Sequence, residues 1–325
     1  MIKLLRYLWG VAQNTVTSIR PATTWEIYLG DCVAGMHKLD SSSVDVVVTS
    51  PPYNLGKEYS TYDDNKTPEE YLEWCGLWAG QIARVLKPDG SLFLNLGASS
   101  ANLLFPFQVA SKIADECGLK LQNTIHWIKS ISIDREDGTQ SYGHFKPINS
   151  PRFLNDCQEY VFHFTKSRSV PVDRLAVGVP YQDKSNIARW GHTKGRDKRC
   201  RGNTWFIPYE TINERAKERP HPATFPAELA AKCIRLHGKK DAVVMDPFLG
   251  IGHAALGARQ CGALVSRFIG FDIDKEYIEV GCRFLSCGYT RVTDMVQGGA
   301  LPAQAAQVRP QRAPEDEQQL FLVTR

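Results

Sequence analysis

Val44-Asp45-Val46-Val47-Val48-Thr49 runs straight into Ser50-Pro51-Pro52-Tyr53-Asn54. Five of the first six residues are β-branched, which reads as a strand buried on both faces. Pro51-Pro52 stop it, because proline has no N–H for the ladder. Strands of that kind belong to parallel sheets covered by helices. A second such strand, Val243-Val244-Met245, runs into Asp246-Pro247-Phe248-Leu249-Gly250-Ile251-Gly252. Further strands are expected over 26–29, 91–96, 124–129, 159–164 and 268–272. Helices are expected from Cys32 to residue 39, then over 68–87, 101–117 with an interruption at Pro106, 226–237, 254–260 and 275–284. Strands alternating with helices predict an α/β fold with a mostly parallel, doubly wound sheet.

Composition narrows the class. The chain has 325 residues, 43% hydrophobic and 23% charged, as expected of a soluble globular protein of one large or two modest domains. No run of 18 apolar residues is present, so no membrane-spanning helix and no membrane partner are expected. Nine cysteines stand singly with no CxxC pair, so they read as free thiols, and no metal site is expected. The net charge of +4 is uneven: residues 166–201 hold ten Lys and Arg against three Asp, leaving the rest slightly acidic. Local basic charge of that kind is an electrostatic footprint for nucleic acid. Residues 1–24 carry no acid but include Lys3, Arg6 and Arg20, and read as an arm that is either a helical leader or a DNA contact.

The glycine turn after the second strand suits a cofactor. Gly250 and Gly252 let backbone come close to a ligand, and the helix that follows presents free N–H groups. Asp272 ends the next strand, where a carboxylate accepts both hydroxyls of a ribose. The dinucleotide fingerprint wants a third glycine where Ala255 stands. A nucleoside carrying an amino acid therefore fits better than a pyrophosphate, with Asp246 near its ammonium group.

Taken together, Ser50-Pro51-Pro52-Tyr53 and Phe248-x-Gly250-x-Gly252 resemble the motifs of the S-adenosylmethionine-dependent DNA amino-methyltransferases, over about residues 25–287. The order, catalytic motif first and cofactor motif last, is similar to the beta group. The resemblance implies a permuted Rossmann-like methyltransferase core with an inserted target-recognition region. It implies S-adenosyl-L-methionine as cofactor and double-stranded DNA as substrate. Asp31 and Cys32 resemble the acidic strand end that contacts the cofactor's adenine. His221-Pro222-Ala223-Thr224-Phe225-Pro226 resembles the segment that holds its methionine end, here through Thr224 and Phe225. His253 departs from the Ser or Thr frequent in the family, which puts one cofactor-carboxylate contact in doubt. The implied divisions are an arm (1–24), a catalytic half (25–165), a recognition region (166–220), a cofactor half (221–297) and a disordered tail (298–325).

The tetrapeptide has a chemical reading of its own. An aminated base inside a duplex is out of reach and must be rotated out. Tyr53 offers a ring for it to stack on, worth roughly 1–3 kcal/mol per base. Ser50 Oγ and the Pro51 carbonyl accept the two amine N–H groups, which frees the nitrogen lone pair for attack. Pro51 and Pro52 hold those acceptors in place beforehand. Adenine enzymes of the family mostly carry Asp or Asn where this chain has Ser50. A short neutral hydroxyl, able also to donate to ring N3, suits cytosine and predicts N4-methylcytosine over N6-methyladenine. Attack at carbon 5 would need a nucleophilic cysteine, and Cys157 reads as structural.

Within the basic region, Arg189, Lys194, Arg196, Arg199 and Arg201 are the expected DNA contacts. Alternatives to the cytosine-N4 reading are adenine-N6 methylation, methylation of RNA or of a protein glutamine, and a non-catalytic DNA-binding subunit. The resemblance implies a bacterial cytoplasmic, nucleoid-associated enzyme, or a nuclear or organellar one in a eukaryotic host. A cognate restriction endonuclease is an implied partner. Gln319-Leu320-Phe321-Leu322 loosely resembles peptides that dock on the bacterial sliding clamp.

Overall fold

The computed structural model describes residues 23–56, 61–144, 147–208 and 224–298. The expected arm before residue 23, residues 221–223 and the tail beyond residue 298, with its Gln319–Leu322 stretch, lie outside them. The chain order is β1 (Thr24–Leu29), α1 (Cys32–His37), β2 (Val44–Thr49), α2 (Pro68–Val85), β3 (Leu86–Leu96), α3 (Phe105–Glu116) and β4 (Lys120–Ile128). A hairpin of β5 (Ser130–Arg135) and β6 (Gly138–Gly143) precedes β7 (Gln158–Thr165), α4 (Ser185–Arg189) and β8 (Thr204–Phe206). Then come α5 (Ala227–His237), β9 (Ala242–Asp246), α6 (His253–Cys261), β10 (Val265–Asp272), α7 (Lys275–Leu285) and β11 (Thr290–Arg291).

Nine strands form one sheet in the order β11-β1-β10-β9-β2-β3-β7-β4-β8. Only β7 runs antiparallel to its neighbours. Helices cover both faces, so successive residues of one strand enter opposite cores. Val47 packs with Met36, Trp78 and Ile113 on the α1–α3 side. Val46 and Val48 pack with Leu229, Ile234 and Ile278 on the α5–α7 side. That is why β2 reads as unbroken rather than alternating.

Local signals set the helix starts. Thr67 and Glu70 form a reciprocal capping box at α2, with Pro68 in its first turn. Pro106 does not interrupt a helix. It lies in the first turn of α3, where its missing N–H costs nothing, and the helix begins at Phe105 instead of residue 101. Three elements were not expected from the sequence. The β5–β6 hairpin is exposed on both faces and so carries no apolar run. Thr204–Phe206, within the basic region, adds an edge strand beside β4 and buries Trp205. Thr290–Arg291 forms β11 on the other edge.

Two halves meet at β2–β9, the centre of the sheet. From β9 the chain crosses towards β10 and β1; from β2 it crosses towards β3. Ligands bind outside the carboxyl ends of strands at such a switch point. β1, first in the chain and within the segment expected as the catalytic half, lies beside β10 on the cofactor side.

Candidate active site

Both motifs sit at the carboxyl ends of adjacent strands, and one open cavity runs between them. It is lined by Ser50, Pro51, Pro52 and Tyr53 after β2, and by Phe248 and Gly250 after β9. Asp272 after β10, Asp31 and Cys32 after β1, Thr224 and Phe225 before α5, and His253 at the start of α6 complete the expected set along its walls. Asp246 and Gly252 stand behind that surface. Asp246 is 1% exposed, accepts from Thr49 Oγ1 at 2.6 Å and from the Phe248 N–H at 3.0 Å, and so ties β2 to β9. Burial pushes its carboxyl up to about 7. Gly252 caps α6 at φ +93°, a conformation few other residues adopt, with Gly281 Cα 3.4 Å from where a Cβ would stand.

The cofactor end meets the chemical demands of a nucleoside with an amino-acid arm. Asp272 accepts the Gly250 N–H at 2.7 Å on one oxygen and the Asp274 N–H at 2.9 Å on the other. A carboxylate has about four acceptor sites, so acceptor capacity remains for a ribose diol. Burial raises Asp272 to about 6, leaving it mostly ionised at neutral pH. Asp31 caps α1 through the Ala34 N–H and lies exposed at the cavity edge. Cys32 beside it is buried, which drives its thiol pKa up and makes it inert. His253 Nδ1 lies 2.5 Å from the Phe225 carbonyl. A carbonyl only accepts, so Nδ1 carries the proton. Among the described residues, no group of three or more His, Cys, Asp or Glu side chains is gathered as a metal-ligand set.

The catalytic end contains groups not expected from the sequence. The Tyr53 hydroxyl lies 2.8 Å from Ser50 Oγ, 2.8 Å from Asn95 Nδ2 and 3.0 Å from Glu159 Oε2. Asn95 is next to last in β3, Glu159 is second in β7, and both line the cavity. Lys129, just past β4, pairs with Glu159 Oε1 at 2.6 Å. The signal for Asn95 was a lone amide in an apolar strand. Glu159 had none, because the partner strand that brings it to Tyr53 is distant in sequence. The loop itself is pinned: Tyr71 on α2 donates to the Pro52 carbonyl at 2.5 Å, and buried Asp64 accepts the N–H groups of Asn54 and Leu55. Cys157 is half-buried outside the cavity, and burial and Asp156 push its thiol up, which disfavours a nucleophile.

The basic region lies apart from this floor. Arg189, Lys194, Arg196 and Arg199 are exposed. Trp190 stands among them, stacked on His192 at 5.6 Å between ring centroids. Arg201 differs: it is half-buried, and its Nε donates to the Val177 carbonyl at 2.6 Å.

Known proteins resemble this chain in sequence and fold. Residues 44–282 match the N6/N4 family model described as DNA methylase. The Type II methyltransferase M.HpaI of Haemophilus parainfluenzae is 29% identical over 251 residues, covering 77% of this chain and 70% of that protein. Among solved structures, the PvuII DNA methyltransferase (cytosine-N4-specific) has a TM-score of 0.57 at 21% identity, covering 80% of this chain and 86% of that one. TTHA0409 of Thermus thermophilus, complexed with S-adenosyl-L-methionine, has a TM-score of 0.53 at 20% identity and covers 86% of this chain and 100% of that one. With both motifs on the strand ends of one mostly parallel sheet, the chain belongs to the N6/N4 family of DNA methylases, whose methyl donor is S-adenosyl-L-methionine.

Proposed function

We propose that the protein methylates the exocyclic N4 of a cytosine rotated out of double-stranded DNA. The observation that carries this reading is Ser50: a short neutral hydroxyl at the cavity wall, 2.8 Å from the hydroxyl of Tyr53, with no carboxylate in its place. The reading rests on Ser50 as an acceptor, not on the proton its hydroxyl could also donate to ring N3. The size and neutrality of the acceptor support cytosine instead.

Each residue then has a task. Tyr53 supplies the stacking face, and its hydroxyl contacts hold the ring still. Ser50 Oγ and the Pro51 carbonyl accept the amine N–H groups and free the nitrogen lone pair. Pro51, Pro52 and the Tyr71 bond to Pro52 hold the acceptors in position before the base arrives, so little reorganisation remains at the moment of reaction. When bound, S-adenosyl-L-methionine supplies an electrophilic sulfonium methyl. Asp272 would hold its ribose, Asp31 and Cys32 its adenine side, and Thr224, Phe225 and His253 its methionine end, with Asp246 bracing the turn from behind the wall. Serine is no base at neutral pH, so the amine proton leaves to water. Arg189, Lys194, Arg196 and Arg199 would meet phosphates or base edges. A cytoplasmic, nucleoid-associated setting belongs to the same reading.

Incubation with mixed-sequence DNA, digestion to nucleosides and mass spectrometry test it. N4-methylcytosine is the expected product, and N6-methyladenine without methylated cytosine would overturn the assignment. Ser50→Ala should lower turnover at least tenfold with cofactor affinity unchanged within twofold, because the lost contact acts on the reacting nitrogen.

A further inference from the structure

We propose that Glu159 is a positioning residue that sets the hydrogen-bond direction of the catalytic wall. It makes Ser50 an obligate acceptor towards the target base, so that the site takes an exocyclic amine and refuses a carbonyl. This rests on the reading above that the cavity receives an aminated base.

Three polar side-chain groups surround the Tyr53 hydroxyl, at 2.8, 2.8 and 3.0 Å. A phenol has one proton to give and can accept from the other two neighbours. Glu159, paired with Lys129, is a carboxylate and only accepts. The Tyr53 proton therefore goes to Glu159. The competing acceptors, Ser50 Oγ at 2.8 Å and the Asn95 main-chain carbonyl at 3.3 Å, are neutral, and a bond to a charged acceptor is the stronger one even where the neutral one is slightly nearer.

Glu159 also fixes the amide. Asn95 Nδ2 lies 2.6 Å from Glu159 Oε2. Turned over, the amide would set its own oxygen against the carboxylate, so Nδ2 must face it and donates to Tyr53 with its second hydrogen. Tyr53 has then given its proton to Glu159 and accepted one from Asn95. In the remaining contact, at 2.8 Å, Ser50 has to be the donor. Its hydroxyl proton points into the wall, and what it offers the cavity is lone pairs. The direction is continuous: base N–H to Ser50, Ser50 to Tyr53, Tyr53 to Glu159, with Lys129 at the end.

Two features support a built arrangement. Lys129 follows β4, Glu159 lies in β7 and Asn95 in β3, so three neighbouring strands each supply one member. Gly97 is where the chain makes room: a Cβ there would stand 3.1 Å from both Glu159 Cδ and Tyr53 Cε2. A base edge that presents N–H to Ser50 is met by an acceptor. A carbonyl edge would set lone pairs against lone pairs and be rejected, the kind of discrimination that unpaired polar groups provide.

The test is a double-mutant cycle of methyl transfer to mixed-sequence double-stranded DNA, with Tyr53→Phe, Glu159→Gln and both together. Cofactor affinity is measured by calorimetry for every variant. An inactive wild-type protein would sink the proposed function itself; with an active one the cycle reads the relay. Each single change should lower kcat at least tenfold, with DNA KM within threefold and cofactor Kd within twofold. The double variant should be no worse than the weaker single variant, within threefold, because both changes break one chain. Losses that multiply would show that Glu159 acts independently and overturn the proposal. If Glu159→Gln fails to bind cofactor, Tyr53→Phe decides alone, since it keeps the stacking ring. A kcat at least tenfold lower with DNA KM unchanged supports the relay, and one within twofold of wild type overturns it.

Discussion

Asp246 shows what burial does to a motif residue. Its carboxyl is pushed up to about 7 because the charged form has lost its water, and the Thr49 and Phe248 bonds offset only part of that. A folded-state pKa above the unfolded value means that the folded protein holds the proton more tightly. That contribution to stability is fully present below about 4 and is lost as pH rises through about 7. The span is worth at most about 4 kcal/mol. Asp272, raised to about 6 by burial, acts in the same direction over a narrower window. Asp246→Asn keeps the shape without the charge. In urea unfolding without cofactor, its stability relative to wild type should therefore rise from pH 5 to pH 8. Parallel pH curves for the two proteins would refute the raised carboxyl. The identity of these residues was legible in the sequence, but not their exposure: Asp246 was expected beside a ligand and instead joins two strands from behind.

The basic region is the element whose reading changes most. Ten cations in residues 166–201 marked it as an electrostatic footprint, yet charge alone did not say which side chains face outwards. Arg196 is exposed, whereas Arg201 reaches inwards to the Val177 carbonyl. The two should separate in experiment. Arg196→Ala should reduce the salt slope of DNA binding by about one unit and leave folding stability within about 0.5 kcal/mol. Arg201→Ala should leave that slope unchanged and cost roughly 1–3 kcal/mol by stranding a carbonyl. A full unit of slope lost with Arg201 would return it to the DNA contacts. The β5–β6 hairpin was not legible because both its faces are exposed and its apolar residues are too few to form a run.

At the scale of the molecule, the cofactor motif and the catalytic motif stand on neighbouring strands of one continuous sheet. The seam is a parallel pairing, Val46 with Val244 and Val47 with Met245, reinforced by the Thr49–Asp246 bond. Saturating cofactor, at a hundredfold over its Kd, should stabilise the whole chain by about 2.7 kcal/mol. Calorimetry should show one unfolding transition that moves upwards as a unit. Two transitions, with only one responding to cofactor, would show that the halves fold separately. The mostly parallel α/β class and the two strand-end motifs were legible in the sequence alone, while the cofactor followed from the resemblance those motifs carry. Class and motifs depend on local pattern: β-branched runs buried on two faces, prolines that stop a strand, glycines that free a turn. The tertiary structure alone decided that β1 returns to the cofactor side and that Thr204–Phe206 closes the sheet edge. It also brought Asn95, Lys129 and Glu159 behind Tyr53. Those contacts join strands far apart in the chain, and a single sequence carries no signal for which distant strands become neighbours.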